Sequence, residues 1–567
     1  MKTTFKGAAL AGMCLLFIVS GCSGGTNESA SNESPSDKTS PSEPADPFGA
    51  YEEPITIRIG QVVDPTDTSL PEGDTPLDNQ YTRSVKENLN IDVEHYFTAA
   101  PANYDQKVSL AIASNDLPDA MVVGAVEVRQ MYESGQLEDL TEVYENYASP
   151  TIKQIIDGTG EIALGSATFD GKLMAIPNIQ VQADGVHTLW IRQDWLDKLG
   201  LEPPQTVAAL EEVARAFVED DPDGNGQADT IGLSGPDTNG HLYATFLRST
   251  NNSFGLDGIF SAYEAYPGYW LEDDNGDTVY GSILPETKEA LAKLRDMYAN
   301  GLIDKEMAVR SDASELVAGG KSGMFFGPWW MGYGAVADAI KDNPDANWQA
   351  YALPLNENGE YTPHLGTPTG TYLVVRKGYE HPEAAMKIVN NYLKEEPTFD
   401  ESKGGLGMYP LRIIYSPLDT IEYSLKAIRE VLAGNKTPED YAGDEKYPLL
   451  VSDLETVKIV KKEPYDDMDI EHWDPEADMG IWSRIYSIMV GGAPLADTEY
   501  TGVYSQIYSQ TSLMQQRWVN LQKMEDETFL KIIMGTEPLD TFDTFVEDWK
   551  SQGGTQITEE VAELATQ

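Results

Sequence analysis

Two cysteines, Cys14 and Cys22, are all that this sequence of 567 residues carries. Both fall within the first 22 positions, so the remaining chain has no disulfide, no thiolate metal site and no cysteine nucleophile. Its stability must come from a packed core, which ten Trp, 29 Tyr and 15 Phe can supply. Positive charge is also scarce: 39 Lys and Arg stand against 93 Asp and Glu, a formal net charge of −54. A field of that sign repels nucleic acid and anionic lipid alike. The apolar run Ala8 to Val19 is too short for a stable membrane-spanning helix, which needs about 20 residues. Six histidines (His95, His187, His241, His364, His381 and His472) show no His-Glu-x-x-His spacing. There is no P-loop and no Gly-x-Gly-x-x-Gly. One Gly-x-Ser-x-Gly match, Gly21-Cys22-Ser23-Gly24-Gly25, lies nowhere near a strand-to-helix elbow. So many carboxylates guarantee chance pairs, so counting acids neither supports nor excludes glycosidase chemistry.

What is present begins with Lys2 and Lys6, the short apolar run, and small residues directly before a cysteine in Val19-Ser20-Gly21-Cys22. This resembles the lipobox of bacterial lipoproteins. The resemblance implies removal of residues 1–21 as a signal peptide, a diacylglyceryl group on the Cys22 sulfur and Cys22 as the mature N-terminus. Each buried methylene contributes about 0.8 kcal/mol, so two acyl chains hold a protein stably where one would not. The expected location is the extracellular face of the cell membrane. Residues 22–50 are rich in Ser, Pro, Asn, Glu and Asp and read as a disordered tether.

The length beyond the tether is too great for one core, so two or more lobes with an interface are expected. Order begins at the period-2 run Ile55-Thr56-Ile57-Arg58-Ile59-Gly60. The pattern predicts helices over 85–89 and 104–113, and strands over 91–97 and 120–123. Helices alternating with short apolar strands signal a largely parallel sheet. Residues 171–192 interrupt that alternation with an extended stretch ending in Thr188-Leu189-Trp190-Ile191, as a crossing between lobes would. A second extended stretch, Thr371 to Val375, follows Gly366-Thr367-Pro368-Thr369-Gly370 and could return the chain. Both could equally be core strands.

Leu117-Pro118-Asp119, Ser134 to Leu140, Asp170 to Pro177, Leu189 to Leu201, Gly323 to Trp329 and Ile557 to Val561 resemble, in order, the landmarks of extracellular solute-binding lipoproteins of carbohydrate ABC transporters. The resemblance is to a long subgroup common in Bacillus and Paenibacillus relatives and covers most of the chain. It implies an α/β, two-lobed periplasmic-binding-protein-like fold of type II with the ligand cleft between the lobes. The expected division is a first lobe over 51–178 with a return segment at about 363–410, a second lobe over 179–362, and a mostly helical region over 411–567 packing on the lobes. The implied partners are an oligosaccharide and ABC permease subunits, with membrane attachment through lipid, no nucleic acid, a monomeric protein and no enzymatic activity. A surface lipoprotein enzyme acting on polysaccharide is the alternative, and a purely structural lipoprotein a third.

The sharpest chemical motif is Asp221-Pro222-Asp223-Gly224-Asn225-Gly226-Gln227-Ala228-Asp229. Oxygen side chains recur at positions 1, 3, 5 and 9, with glycine at 6 and a backbone carbonyl at 7, the spacing of a Ca²⁺ loop. The candidate ligands are therefore Asp221, Asp223, Asn225, Gln227 and Asp229. Position 12 is Gly232, so the usual bidentate Glu is missing. Solute-binding relatives carry such a loop as a structural calcium site, and a metal-free Asp/Asn/Gly turn is the alternative. Glu272 to Asp277 reads instead as a hairpin turn.

Sugar clefts need aromatic platforms beside hydrogen-bonding groups. The candidates are Trp190, Trp270 with Tyr269, Trp329, Trp330 and Tyr372; the resemblance implies stacking by Trp329, which follows Gly-Pro. Adjacent side chains on an extended segment point to opposite faces, so one of Trp329 and Trp330 is expected in the cleft and the other in the core. Arg192 could hold hydroxyls or a uronate carboxylate, or equally pair with one of the many acids, and Arg310 could clamp a uronate. Strong negative charge favours a neutral oligosaccharide, with oligouronides second.

Overall fold

The computed structural model describes residues 45–565, except 66, 68, 239, 249–252, 401–402, 445, 462–469, 471–473 and 475–476. Cys22, the signal segment 1–21 and nearly all of the tether lie outside the described residues. Among the described residues, no helix is long and apolar enough to cross a membrane.

The first sheet grows from the period-2 strand Ile55–Val62, whose Ile57 and Ile59 are fully buried. It pairs in parallel with Ile91–Ala99 and, through Ile59 and Ala120, with Ala120–Val123. Tyr372–Val375 then joins antiparallel to Ala120–Val123 and to Ile176–Pro177. The sheet is therefore mixed, because its later strands return from distant sequence. The helix Gln80–Leu89 starts on the cap Asn79, whose side chain accepts from Tyr81 and Thr82 N–H, and it turns Tyr81, Val85 and Leu89 inward. Asp119 closes one end of this lobe, accepting from the Arg58 backbone N–H (2.8 Å) and from the guanidinium groups of Arg58 and Arg376. Burial would raise its carboxyl, but those bonds outweigh it and hold the group below the ordinary carboxylate range.

The second sheet has the order Trp348–Tyr351, Thr188–Arg192, Ser322–Gly327, Ile231–Leu233, with the last pair parallel and the others antiparallel. Its strands are buried on both faces. Leu189, Ile191, Phe326 and Leu233 enter one core, while Trp190, Phe325 and Trp348 enter another. A two-sided sheet needs helices on both sides; Val207–Glu219 and Pro285–Ala299 supply one side, and the C-terminal third adds to both cores. Thr420–Leu432, Leu450–Val460 and Met479–Tyr486 bury their apolar stripes in the second core. Met514–Ile533, Thr541–Trp549 and Thr555–Ala565 do so in the first.

The chain thus passes between lobes three times. Residues 178–187 lead out of the first lobe, 362–371 lead back, and 415–419 lead out again toward Thr420–Leu432. The sequence suggested only the first two crossings.

Candidate functional site

The crossings run side by side and hold one another through backbone bonds: Gln180 N–H to Pro368 O (2.8 Å), Ile179 N–H to Ile414 O (2.8 Å) and Gln182 N–H to Leu418 O (3.1 Å). On the first-lobe side, buried Asn178 ties two of them. Its Oδ1 accepts from Thr369 Oγ1 (3.1 Å) and from the N–H groups of Gly370 and Thr371 (both 2.9 Å). On the second-lobe side tyrosine hydroxyls grip the returning strand. Tyr266 donates to Thr362 O, while Tyr269 and Tyr508 both donate to Leu365 O. The backbone between these clamps, Gly366 to Pro368, is where the two lobes meet.

A cleft of about 560 Å³ opens there. Its first-lobe wall is Gly124 to Glu127, the start of the helix Ala125–Glu133, whose cap Gly124 offers no side-chain acceptor. Thr245 to Arg248, Tyr508 and Gln510 form the second-lobe wall, and Gln180, Thr367, Thr369 and Tyr372 line the crossing floor. A narrower recess of about 30 Å³ continues past Gln180 and Thr367 to Gln182, Asp184 and Tyr504. Tyr504 is 38% exposed, an aromatic face open to solvent. Asp184 is mostly buried, and burial pushes its carboxyl above the ordinary range against the Trp329 indole N–H that donates to it (2.8 Å). Arg248 is the one cation among the described lining residues, and both of its terminal nitrogens are committed to Asp526 (3.1 and 2.6 Å).

Against this geometry the sequence candidates separate. Tyr372 lines the cleft, its hydroxyl donating to Ser166. Trp329 stands behind the recess, 6% exposed and bound to Asp184. The expected alternation of Trp329 and Trp330 fails because Trp329–Tyr333 is a 3₁₀ turn rather than an extended segment; Trp330 packs, half-buried, on the core beside it. Three assignments to the ligand are corrected. Trp190 is fully buried, stacked on Phe325 and donating to Pro328 O (3.2 Å), because its strand lies mid-sheet with helices on both faces. Trp270 is fully buried among Tyr280, Trp518 and Trp549, where its hairpin lies on the C-terminal helices. Arg192 is 3% exposed and paired with Asp194 (2.7 and 2.5 Å) over the Trp195 ring, since the strand's last residue turns back into its own helix. Arg310 is likewise held by Asp304. The composition of Gly366 to Gly370, two threonines between glycines, was the one local sign of the floor. Gln180, Gln182 and Tyr504 carried no signal, because only the three crossings bring them together.

The loop 221–229 lies between the helix Val207–Glu219 and the strand Ile231–Leu233. Asp221, Gly224 and Gly226 all adopt left-handed backbone (φ 48°, 72° and 77°), which the tight winding requires. Asp221 accepts from the N–H groups of Asn225 (3.1 Å) and Gly226 (3.0 Å). The carboxylates of Asp223 and Asp229 converge on the Asn225 amide nitrogen (2.7 and 3.0 Å), and the Lys321 ammonium also reaches both. Among the described residues, no three His, Cys, Asp or Glu side chains stand arranged about a metal as they are. Hard oxygens converging on an ammonium nevertheless fit a cation in chemistry and charge. The segment Glu272–Asp277 is a hairpin turn, joining antiparallel Trp270–Glu272 and Thr278–Tyr280.

Residues 80–398 match the family described as bacterial extracellular solute-binding protein. The fructooligosaccharide ABC transporter substrate-binding protein FusA of Streptococcus pneumoniae is 28% identical over 327 residues, 54% of this chain and 53% of FusA, so this chain spans about half of that relative. The polygalacturonan/rhamnogalacturonan-binding protein YtcQ of Bacillus subtilis is 25% identical over 502 residues, 86% of this chain and 88% of YtcQ. Among solved structures, the alginate-binding protein AlgQ2 without calcium ion superposes with a TM-score of 0.55 at 18% identity, covering 92% of this chain and 99% of that one.

Proposed function

This chain belongs to the family of bacterial extracellular solute-binding proteins, and from that premise we propose that it captures an oligosaccharide in the cleft between its lobes and delivers it to an ABC importer. The observation that carries the reading is the composition of the cleft. Amides (Gln180, Gln182), hydroxyls (Thr367, Thr369), a carboxylate (Asp184) and an open aromatic ring (Tyr504) meet where the crossings join two rigid lobes. Sugars present hydroxyl edges and apolar faces, and this set answers both. The names of FusA, YtcQ and AlgQ2 all refer to carbohydrate.

The ligand is a neutral oligosaccharide. The sole described cation at the cleft is already neutralised by Asp526, and Glu127 and Asp184 add negative charge. A uronide would enter against that field. Ligand bridging both walls favours closure by differential contacts, and the importer reads the closed form. On this reading the chain captures its ligand and releases it unchanged. Cys22 carries the acyl anchor, the monomer acts alone, and the tether places the lobes at the outer membrane face. Calcium held by Asp221, Asp223, Asn225, the Gln227 carbonyl and Asp229 would pin the connection between helix and strand.

A panel of neutral and uronic oligosaccharides, read by thermal melting with chromatography of each mixture, tests this. Stabilisation by a neutral oligomer that is recovered intact is expected. Stabilisation by none, or recovery of cleaved sugar, would sink it.

A further inference from the structure

We infer that Lys321 is a tethered competitor for Ca²⁺ at the loop 221–229; the inference rests on the calcium reading just given. Lys321 does not meet the loop by chance of a long side chain. Its backbone carbonyl accepts from Ile231 N–H (2.8 Å), two residues past Asp229, and the next residue, Ser322, registers opposite Ile231 in the parallel pair. Strand pairing in the second sheet therefore delivers the ammonium to the loop's exit at fixed range, as a short linker raises effective concentration. There it binds Asp229 Oδ2 and lies 3.8 Å from Asp223 Oδ2.

The same oxygens are the ones a metal needs. Asn225 Nδ2 donates to Asp223 Oδ2 and Asp229 Oδ1, and the Asn225 backbone N–H to Asp223 Oδ1 (3.2 Å), so with Lys321 on Asp229 Oδ2 N–H donors cover all four oxygens on these two acids. A Ca²⁺ ion would have to approach them to about 2.3–2.6 Å. An ammonium on the same carboxylates opposes that approach, because two cations drawn to one carboxylate repel. Ca²⁺ gains these oxygens fully when Lys321 gives way and the Asn225 amide turns its oxygen inward.

The loop also cannot recover those losses in the usual way. Position 12 is Gly232, and a Cβ there would lie 2.7 Å from Ala214 O and 2.8 Å from Ala214 Cβ in the adjoining helix. Packing forbids a side chain at the place where a bidentate glutamate would add two oxygens. A second lysine, Lys198, holds the carbonyl of Pro222 (2.7 Å) and keeps the loop wound without metal. The arrangement is an acidic loop with a covalently attached counter-charge.

Calorimetric Ca²⁺ titration of the whole protein, wild type against Lys321→Gln and Lys321→Arg, tests this. Removing the charge should tighten Ca²⁺ binding by roughly tenfold, the equivalent of about 1.4 kcal/mol, while Lys321→Arg should stay near the wild type. Melting in chelator should show Lys321→Gln below the wild type, with Ca²⁺ restoring it. Lys321→Met, which keeps the apolar stem, serves if Lys321→Gln does not fold. Equal Ca²⁺ affinity in wild type and Lys321→Gln would overturn the competition and leave the calcium reading standing. Folded protein that binds no Ca²⁺ in either form would overturn both.

Discussion

Trp270 and Tyr504 show how differently two aromatic residues serve the same molecule. Trp270 is fully buried against Tyr280, Trp518 and Trp549. Trp270→Ala should cost about 3–5 kcal/mol of stability, read by denaturant unfolding. Tyr504, open at the recess, should do the reverse: Tyr504→Ala leaves the melting temperature in place and weakens sugar affinity by about tenfold. Tyr280 lies across its own hairpin, but Trp518 and Trp549 come from the C-terminal helices, so the sequence around position 270 does not show how deeply it is buried. A third residue reports on pH. His364 is edged by the rings of Tyr266 and Tyr269 and lies near Asp257, with His187 on the other side of that carboxylate. Burial pushes it down to about 4 from 6.5, the carboxylate of Asp257 opposing and His187 adding to the fall. The unfolded chain therefore binds a proton that the folded one refuses across that interval. This contribution is fully present above pH 6.5 and is lost as pH falls toward 4, at roughly 1.4 kcal/mol per unit. Urea midpoints of His364→Gln should show a shallower acid dependence than the wild type over that window; identical slopes would refute the assignment.

Among elements, the strands and helices of the first lobe were legible because their signals are local. Ala120–Val123 follows from its apolar run, and the second half of the helix Gln80–Leu89 from its apolar period, whereas its first turn, polar but for Tyr81 and started by the Asn79 cap, carries no such signal. The calcium-like loop was legible for the same reason, since its spacing lies within nine residues. The crossings were legible only in part. The stretch 171–192 broke the pattern and 371–375 after Gly366 to Gly370 suggested a return, but 415–419 gave no sign, because a third crossing is needed only once the C-terminal helices are known to cover the second sheet. The same distance hid Gln180, Gln182 and Tyr504. Asn178 is the element-scale test. Removing its carbonyl leaves the N–H groups of Gly370 and Thr371 and the Thr369 hydroxyl without that acceptor, a cost of about 1–3 kcal/mol for a buried group. Asn178→Ala should therefore loosen the floor, seen as faster amide hydrogen exchange at 369–371 with little change in the strand Thr188–Arg192. Equal exchange at both places would mean that the clamp holds nothing.

At the scale of the molecule, two lobes meet at three short stretches of backbone, and the polar cleft lies along that seam. A ligand that bonds both walls must draw them together, so small-angle scattering should show a smaller radius of gyration on saturation with a bound oligosaccharide. The strong negative charge, −54 over the chain, sets which ligands arrive easily, and the cleft's neutralised Arg248 sets which stay. Capture in this cleft is tested most directly by calorimetric titration of a neutral oligosaccharide into the wild type and into the double variant Gln180→Ala/Tyr504→Ala, both checked for folding. Saturable binding by the wild type and a loss of about a hundredfold in the variant is the expected result. Undiminished affinity in the variant would place the ligand elsewhere and contradict the cleft as the site of capture.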